Sequence, residues 1–530
     1  MMHLRPLYFL LSFVQFASCI GVDVFIPTTP PPTSQLLSPG LIAFSIEQDR
    51  WPEWAQSTFA NNTFNNLRRL TGELWIRIGA NSQDRTLFDS TVEVSTSIPR
   101  ESTPTNPYPE AANITVGDGF YALVSQLPPG THTIFGINFG MNNISIAVSQ
   151  ADSLMRAFRL PEVRKKGITL DFLEIGNEVN YYGHPDVGTR DNATWSPREY
   201  VPQWNEFASA IIRTTGITGH SRTRFFGASF GGSNTFGFTA ETLFDQGYLE
   251  SQPGALVTSL SQHRYSGSFC QGSASLLQDL MDKGTIKSNL TMFYEDIVQT
   301  RRLGLSYILG ETNSYSCHGA PNVSNTAGAA LWSLTYSLAA ACVGIERVHF
   351  HQGIGFRYNF IQPVALDRSI LDGSPLPSPI PPHVQPGYYA GIIAAEVIGR
   401  SLGLKKIVEL EVDDQHVAGF AVYDSSRLSK AVFVNLKAYI PNEGSNPERG
   451  TVNVDLYLGE GEKDAVSRNA EIKRLRIGSA DDTSGLTWGG QTYETEDGLV
   501  SGEEVVETVD LGAGFEIQDT EAVVITFSSG

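Results

Sequence analysis

The 530-residue chain is short of positive charge: 37 Lys and Arg stand against 56 Asp and Glu, a formal net charge of −19 at pH 7. It carries no Lys/Arg cluster able to release counterions, which argues against nucleic acid and long polyanions as partners. Beyond the N-terminus it also lacks any apolar run of bilayer-spanning length, so no membrane segment is expected in the mature chain. Cysteine is scarce, four residues in all, and no set of His, Cys and carboxylates has ligand spacing; neither a metal nor an organic cofactor is implied. Gly and Pro, at 50 and 28, are in ordinary proportion, and 41% hydrophobic residues suffice for a large core.

What is present begins with an export signal. Residues 1–20 hold an early Arg5, an apolar stretch over 7–16 and small residues over 17–19, the arrangement of a secretory signal cleaved near 19–21. The mature protein is therefore expected to be soluble and extracellular. Six Asn-x-Ser/Thr sequons, at Asn61, Asn113, Asn143, Asn192, Asn289 and Asn322, agree with export. Cys19 leaves with the signal, and Cys342, in an Ala-rich apolar run, reads as a small core residue. Cys270 and Cys317 each follow an apolar strand in a polar loop, where an oxidising compartment would let them pair.

The chain is too long for one ordinary core, and its patterning changes once. Residues 21–40 form an extended, Pro-rich segment, of which 22–26 could add a strand to a C-terminal domain. Over 41–400, apolar runs recur at 41–47, 74–79, 133–139, 170–178, 224–230, 255–265, 305–311 and 345–352. Helical spacing fills the gaps at 151–160, 201–214, 274–282, 294–303, 326–342 and 387–398, and a Pro-rich stretch, 373–387, reads as a loop over the strand ends. Eight such runs in series are the count of an α/β fold, the (β/α)8 TIM barrel. Over 401–530 the period drops to two, in runs such as 416–424, 430–436 and 451–458, which predicts an antiparallel β-sandwich burying one face of each sheet.

Two barrel strands end in carboxylates. The run DFLEIGNEVN at 171–180 ends in Asn177-Glu178, and LSYILGETNS at 305–314 ends in Gly310-Glu311. They are the fourth and seventh runs, and the C-terminal ends of barrel strands are where such folds keep their chemistry. Glycoside hydrolysis needs two carboxyl groups facing one anomeric carbon, one protonated and one ionised. In a large group of barrel glycosidases the fourth strand supplies the acid/base and the seventh the nucleophile, which assigns Glu178 and Glu311 to those roles. Glu174 shares Glu178's parity but lies deeper, suiting a supporting part.

The strings RIGANSQD, LEIGNE, SQHRYSG, LGETNSYSCHGAP and HQGIGFRYNF, in that order, resemble glycoside hydrolase family 79, the family of β-glucuronidases and heparanases. The resemblance runs from about residue 41 to the C-terminus and implies a retaining mechanism with the same two assignments. It further implies that Asn177 bonds the sugar 2-hydroxyl, that Tyr265 holds Glu311 with His263 as its neighbour, and that Arg77 lies beneath the nucleophile. Glu47 and Asn81 match positions lining the sugar pocket. The uronate carboxylate would be held by backbone N–H groups at Cys317 and His318 and by Tyr358, with Gly355 beside it. The chain departs from the family in that loop, where Cys317-His318-Gly319 stands in place of a Gly run.

These features imply a secreted, exo-acting retaining β-glucuronidase that removes terminal glucuronate, with or without a 4-O-methyl group, from glycans or glycoconjugates. Three alternatives stand beside it. They are a heparanase-like endo-glucuronidase, disfavoured by the acidic charge, a related barrel glycosidase for neutral sugars, and a carbohydrate-binding protein on an inactive barrel. Arg357, next to Tyr358, reads as a surface arginine.

Overall fold

The computed structural model describes residues 20–185, 187, 189–400, 403–441, 448–459 and 469–527. Residues 1–19, which hold the expected signal, lie outside the described residues. No helix among the described residues is long and apolar enough to cross a membrane.

Eight parallel strands close into a barrel in chain order: Ile42–Glu47, Trp75–Gly79, His132–Ile137, Thr169–Ile175, Arg224–Gly231, Val257–Ser268, Ser306–Ser316 and Arg347–Gln352. Each arises from one of the eight apolar runs, because a strand covered by helices outside and side chains inside must be apolar on both faces. Side chains on one face recur every second residue. Ala43, Trp75, Ile134, Phe172, Phe226 and Ile308 accordingly form an apolar plug inside the N-terminal mouth. Two residues further along three of these strands stand Ser45, Arg77 and Glu174, all buried, so a polar layer sits directly above the plug.

Helices Thr58–Thr71, Ile144–Ala157, Pro197–Thr215, Lys283–Thr291, Tyr294–Arg302, Ala327–Cys342 and Gly387–Ile398 wrap the barrel. Their ends are marked by local chemistry: Ser57, Asn143, Asp282 and Thr326 accept N-terminal amides, and Gly72 and Gly216 take left-handed backbone after the last turn. Two helical expectations shift. The segment 274–282 is helical only over Leu277–Leu280, the main helix there being Lys283–Thr291, and the fourth-strand approach helix begins at Ile144 rather than 151. The expected loop at 373–387 contains a strand, Pro375–Ile380, paired with Leu366–Arg368. This exposed two-strand ribbon tolerates Pro because an edge strand does not need every N–H.

Beyond the barrel the C-terminal strands form two packed sheets. Ile20–Ile26 pairs parallel to Thr451–Leu458, which pairs antiparallel with Phe515–Gln518. The larger sheet runs Gln35–Leu36, Lys405–Glu409, Val417–Asp424, Arg427–Asn435, Glu521–Phe527, Asn469–Arg476 and Thr487–Trp488. One face of this sheet, with Ala421, Tyr423, Phe433 and Val523, packs on the smaller sheet; the other, with Phe420, Val422, Val432 and Val434, joins the barrel's core. The expectation that each sheet buries a single face holds for the smaller sheet, whose strands alternate, and is corrected for the larger. Both parities of 417–423 are buried because the barrel helices cover the side that would otherwise face water.

Candidate active site

Glu311 lies in the seventh strand, 5% exposed. Its Oε2 accepts from Arg77 Nη1 at 2.9 Å and its Oε1 from the Tyr265 hydroxyl at 2.8 Å. Burial by itself would raise its carboxyl pKa, but the charges of His351, His263 and Arg77 and the Tyr265 hydrogen bond outweigh that and hold it down at about 2. Glu311 is therefore an anion across the working range of most proteins. Tyr265 stays a protonated donor, since burial and the adjacent Glu311 charge push its phenol far up.

Arg77 has no exposed surface and is engaged through all three of its nitrogens. Its Nε donates to Glu174 Oε2 at 2.7 Å, Nη1 also to Ser45 Oγ at 2.8 Å, and Nη2 to Asn177 Oδ1 at 2.7 Å. One guanidinium so fixes Glu311, pairs with Glu174 and orients Asn177, the residue before Glu178. Glu174 also accepts from Ser229 Oγ, which leaves it no part at the cavity surface.

Glu178 follows the fourth strand with φ +47, left-handed backbone that places it over the strand ends rather than along them. Gly176, at φ +83, makes this turn possible: a Cβ there would lie 2.7 Å from both Tyr182 Oη and Val179 Cγ1. Asp84 pins the turn by accepting from the Asn177 amide at 3.1 Å and from Tyr182, and from Phe139 and Gly140 amides at 3.0 and 2.9 Å. Glu178 Oε1 lies 3.1 Å from His263 Nδ1. That contact suits either protonation state, since a carboxylic O–H can donate to the nitrogen and an imidazole N–H can donate to the carboxylate.

An oxygen of Glu178, a nitrogen of His263 and an oxygen of Glu311 lie within 4.8 Å of one another. They share a cavity of about 480 Å³ that is also lined by Asn81, Tyr265, Cys317, His318, His351 and Tyr358. The nearest oxygens of the two carboxyl groups thus face one another across a gap comparable to the roughly 5 Å spacing of a double displacement. The same three residues are the one group among the described residues whose His and carboxylate atoms converge as metal ligands would. Both Glu311 oxygens, however, already accept bonds, and the Arg77 guanidinium beside them opposes a second cation.

Several expected residues sit elsewhere than expected. Glu47 is wholly buried, its Oε1 accepting from the Ser82 amide at 2.7 Å and Oε2 lying 3.3 Å from His351 Nε2, so it stands behind the cavity wall. Asn177 is 4% exposed, held by Arg77, its Nδ2 donating to Asn81 Oδ1 at 3.2 Å. Gly355 does not reach the cavity; its amide donates to Gln362 Oε1 at 3.0 Å and its missing side chain makes room for the Tyr108 ring. Asn143, Asn192 and Asn322 are exposed and Asn61 and Asn113 half-buried, but Asn289 is 4% exposed with Oδ1 taken by Arg264 Nε at 3.0 Å. Burial of the Asn289 side chain, whose Nδ2 a glycan would have to reach, argues against it among the expected glycan sites.

The loop after Glu311 is built under constraint. Cys317 and His318 have φ of +60 and +69, and Gly319 +88. Cys270 and Cys317 form a disulfide with Cα atoms 5.2 Å apart, tying the sixth and seventh strand ends together. The His318 ring stacks on Phe356 with centroids 3.7 Å apart, and its nitrogens lie 2.9 Å from Asn106 Oδ1 and 3.0 Å from Glu110 Oε1. Burial would raise the Glu110 carboxyl, but the charge of His318 and its hydrogen bond override that and hold it well below the usual range. Arg357 is not a surface residue: it has no exposed surface and donates to the carbonyls of Pro104, Thr105, Gly319 and Leu371. It clamps the second-strand insertion, the loop after Glu311 and the ribbon around one guanidinium.

Four contributors were not marked in the sequence. His351 lies between Glu47 and Glu311; burial would lower its pKa, but the two carboxylates outweigh that and raise it. Asn106 and Glu110 come from the insertion after the second strand, and Asp84 from the turn beneath Asn177. The one signal for His351 was its alternation with His349 in RVHFHQ.

Residues 419–524 match the glycosyl hydrolase family 79 C-terminal beta domain. A β-glucuronidase of Aspergillus niger is 27% identical over 534 residues, covering 96% of this chain and 92% of that protein. One from Neurospora crassa is 25% identical, covering 90% and 87%. Among solved structures, a 4-O-α-L-rhamnosyl-β-D-glucuronidase from Fusarium oxysporum 12S, in complex with Rha-GlcA, shares the fold with TM-score 0.77 at 22% identity, over 95% of this chain and 100% of that one. A family 51 α-L-arabinofuranosidase from Bifidobacterium longum shares it with TM-score 0.58 at 15% identity, covering 96% and 99%.

Proposed function

From a chain homologous to the β-glucuronidases of glycoside hydrolase family 79, we propose a secreted exo-β-glucuronidase that cleaves terminal β-glucuronate, with or without a 4-O-methyl group, with retention. The observation that carries this reading is the approach of Glu178 and Glu311 to within 4.8 Å in one cavity, with only Glu311 held by a guanidinium and a phenol. Glu311 attacks the anomeric carbon as Glu178 gives its proton to the departing oxygen. Glu178, now a carboxylate bonded to His263 Nδ1–H, takes a proton from water, and that water releases the sugar from Glu311. One N–H of the Asn177 side-chain amide is taken by Asn81 Oδ1, and the other is offered to the 2-hydroxyl, a bond that strengthens as charge develops on the ring.

The backbone N–H groups of Cys317 and His318 and the Tyr358 hydroxyl receive the uronate carboxylate. Exo action is supported by the insertion carrying Asn106 and Glu110, which Arg357 and His318 hold as a wall on one side of the cavity. The net charge of −19 opposes a long sulfated polymer in the same place. Secretion is supported by the disulfide and by the exposed sequons.

A panel of nitrophenyl β-glycosides tests the substrate, and proton NMR of the first-formed sugar tests the stereochemistry. Turnover of the glucuronide alone, released first as the β-anomer, is expected; preference for a neutral sugar or an α-anomer would overturn the proposal. Glu311→Gln is expected to bind glucuronate and not turn over.

A further inference from the structure

An acid/base must reach the glycosidic oxygen, so the leaving group lies on the side of Glu178 away from Glu311. Next to Glu178 the cavity is lined by Tyr181 and, from the loop after the fifth strand, by Gly232, Ser233 and Thr235. Tyr181 stands one turn beyond Glu178, its amide donating to the Glu178 carbonyl at 2.9 Å and its hydroxyl to the Gly231 carbonyl at 3.0 Å. It is packed as close to the acid/base as the backbone allows: a Cβ on Gly231 would lie 2.2 Å from Tyr181 Cε2 and 3.1 Å from Glu178 Cδ. Against the Tyr181 ring stands Phe236, centroids 5.8 Å apart and planes at 83°, with the His184 ring 6.0 Å away.

Phe236 is 57% exposed, and at φ +55 it holds a backbone conformation that bulky residues avoid. Its loop is shaped to keep it there. Gly232, Asn234 and Gly237 are also left-handed, Thr235 and Phe238 form a bridge, and Ser233 Oγ donates to Asp296 Oδ2 at 2.7 Å. An aromatic side chain in strained backbone, half in water and separated from Glu178 only by the Tyr181 ring, is an outlier of the kind that function explains.

We propose that Phe236, its ring set at 83° against that of Tyr181, is the platform on which the ring of the leaving group lies, an uncharged ring with one apolar face, either a neutral pyranose or an aryl group. This rests on the glucuronidase reading and adds the aglycone side to it. Stacking on an aromatic face is worth about a tenfold change in a binding constant.

The test compares kcat/KM of wild type and Phe236→Ala on three substrates: a β-glucuronosyl disaccharide with a neutral second sugar, 4-nitrophenyl β-glucuronide, and β-glucuronyl fluoride, whose leaving group has no ring. The ratio of kcat/KM for a ring-bearing substrate to that for the fluoride is expected to fall about tenfold in Phe236→Ala and to be restored in Phe236→Tyr. A fall on the disaccharide identifies a sugar as the occupant, and a fall on the nitrophenyl substrate alone identifies an aryl group. Equal losses on all three, or an unchanged ratio, overturn the platform while leaving the glucuronidase reading intact. Wild type inert toward all three would overturn both.

Discussion

Removing one oxygen atom should move the acid limb of the pH profile. Tyr265 donates to Glu311 Oε1 at 2.8 Å, and burial with the neighbouring negative charge keeps its phenol protonated at every accessible pH. The bond favours the charged form of Glu311, so in Tyr265→Phe the Glu311 pKa must rise. A hydrogen bond to a charged group is worth about 1.5–3 kcal/mol. At about 1.4 kcal/mol per pKa unit that is a rise of roughly 1–2 units, from about 2 in the wild type. Arg77 remains in place at 2.9 Å, so Glu311 should still ionise and the variant should still fold. The assay is kcat/KM on a glucuronide from pH 2.5 upward. Wild type is expected to be nearly flat on the acid side down to about pH 3, and Tyr265→Phe to lose activity about 1–2 units higher. An acid limb that does not move would refute the view that this phenol holds the nucleophile's charge.

Glu311 should also appear in stability against pH. Its folded pKa is depressed, so it contributes stability that is complete above the ordinary value of 4.5 and is lost as pH falls toward about 2. The urea midpoint of wild type should therefore fall more steeply over that window than that of Glu311→Gln; parallel slopes would contradict the ionised assignment. The Cys270–Cys317 bond closes a span of 47 residues. Loop-closure entropy then predicts that Cys270→Ser with Cys317→Ser costs about 4 kcal/mol at most, read from urea melts, with a raised KM because the His318 loop loses an anchor. Glycopeptide mapping of the secreted protein should find Asn289 bare and sugar at Asn143, Asn192 or Asn322, since only the former is buried.

The barrel was legible because its strands are covered on both faces, which turns each into a continuous apolar run whatever else the chain does. That Glu178 and Glu311 meet at the rim was legible for the same reason, as the carboxylates at which those two runs end. What stayed hidden depends on closure of the fold. His351 sits in a strand whose neighbours are all core, so it reads as one more buried residue until the eighth strand meets the first and places it between Glu47 and Glu311. Arg357 reads as solvent-facing because no local pattern announces that four carbonyls from three segments converge on it. Glu47 failed in the opposite sense: its position at a strand end was visible, but not the Ser82 amide and hydroxyl that draw it behind the wall. The both-sided burial of the larger C-terminal sheet was misjudged because the barrel helices that cover it are remote in sequence.

The central claim is that Glu311 forms a bond to the anomeric carbon. It is tested most directly by treating the protein with 2-deoxy-2-fluoro-β-glucuronyl fluoride, which slows release of the sugar, and mapping the modified peptide by mass spectrometry. The account predicts one added 2-fluoroglucuronyl group per chain, carried on Glu311. A label on any other residue, or complete turnover of glucuronide with no trapped species and inverted product, would contradict it.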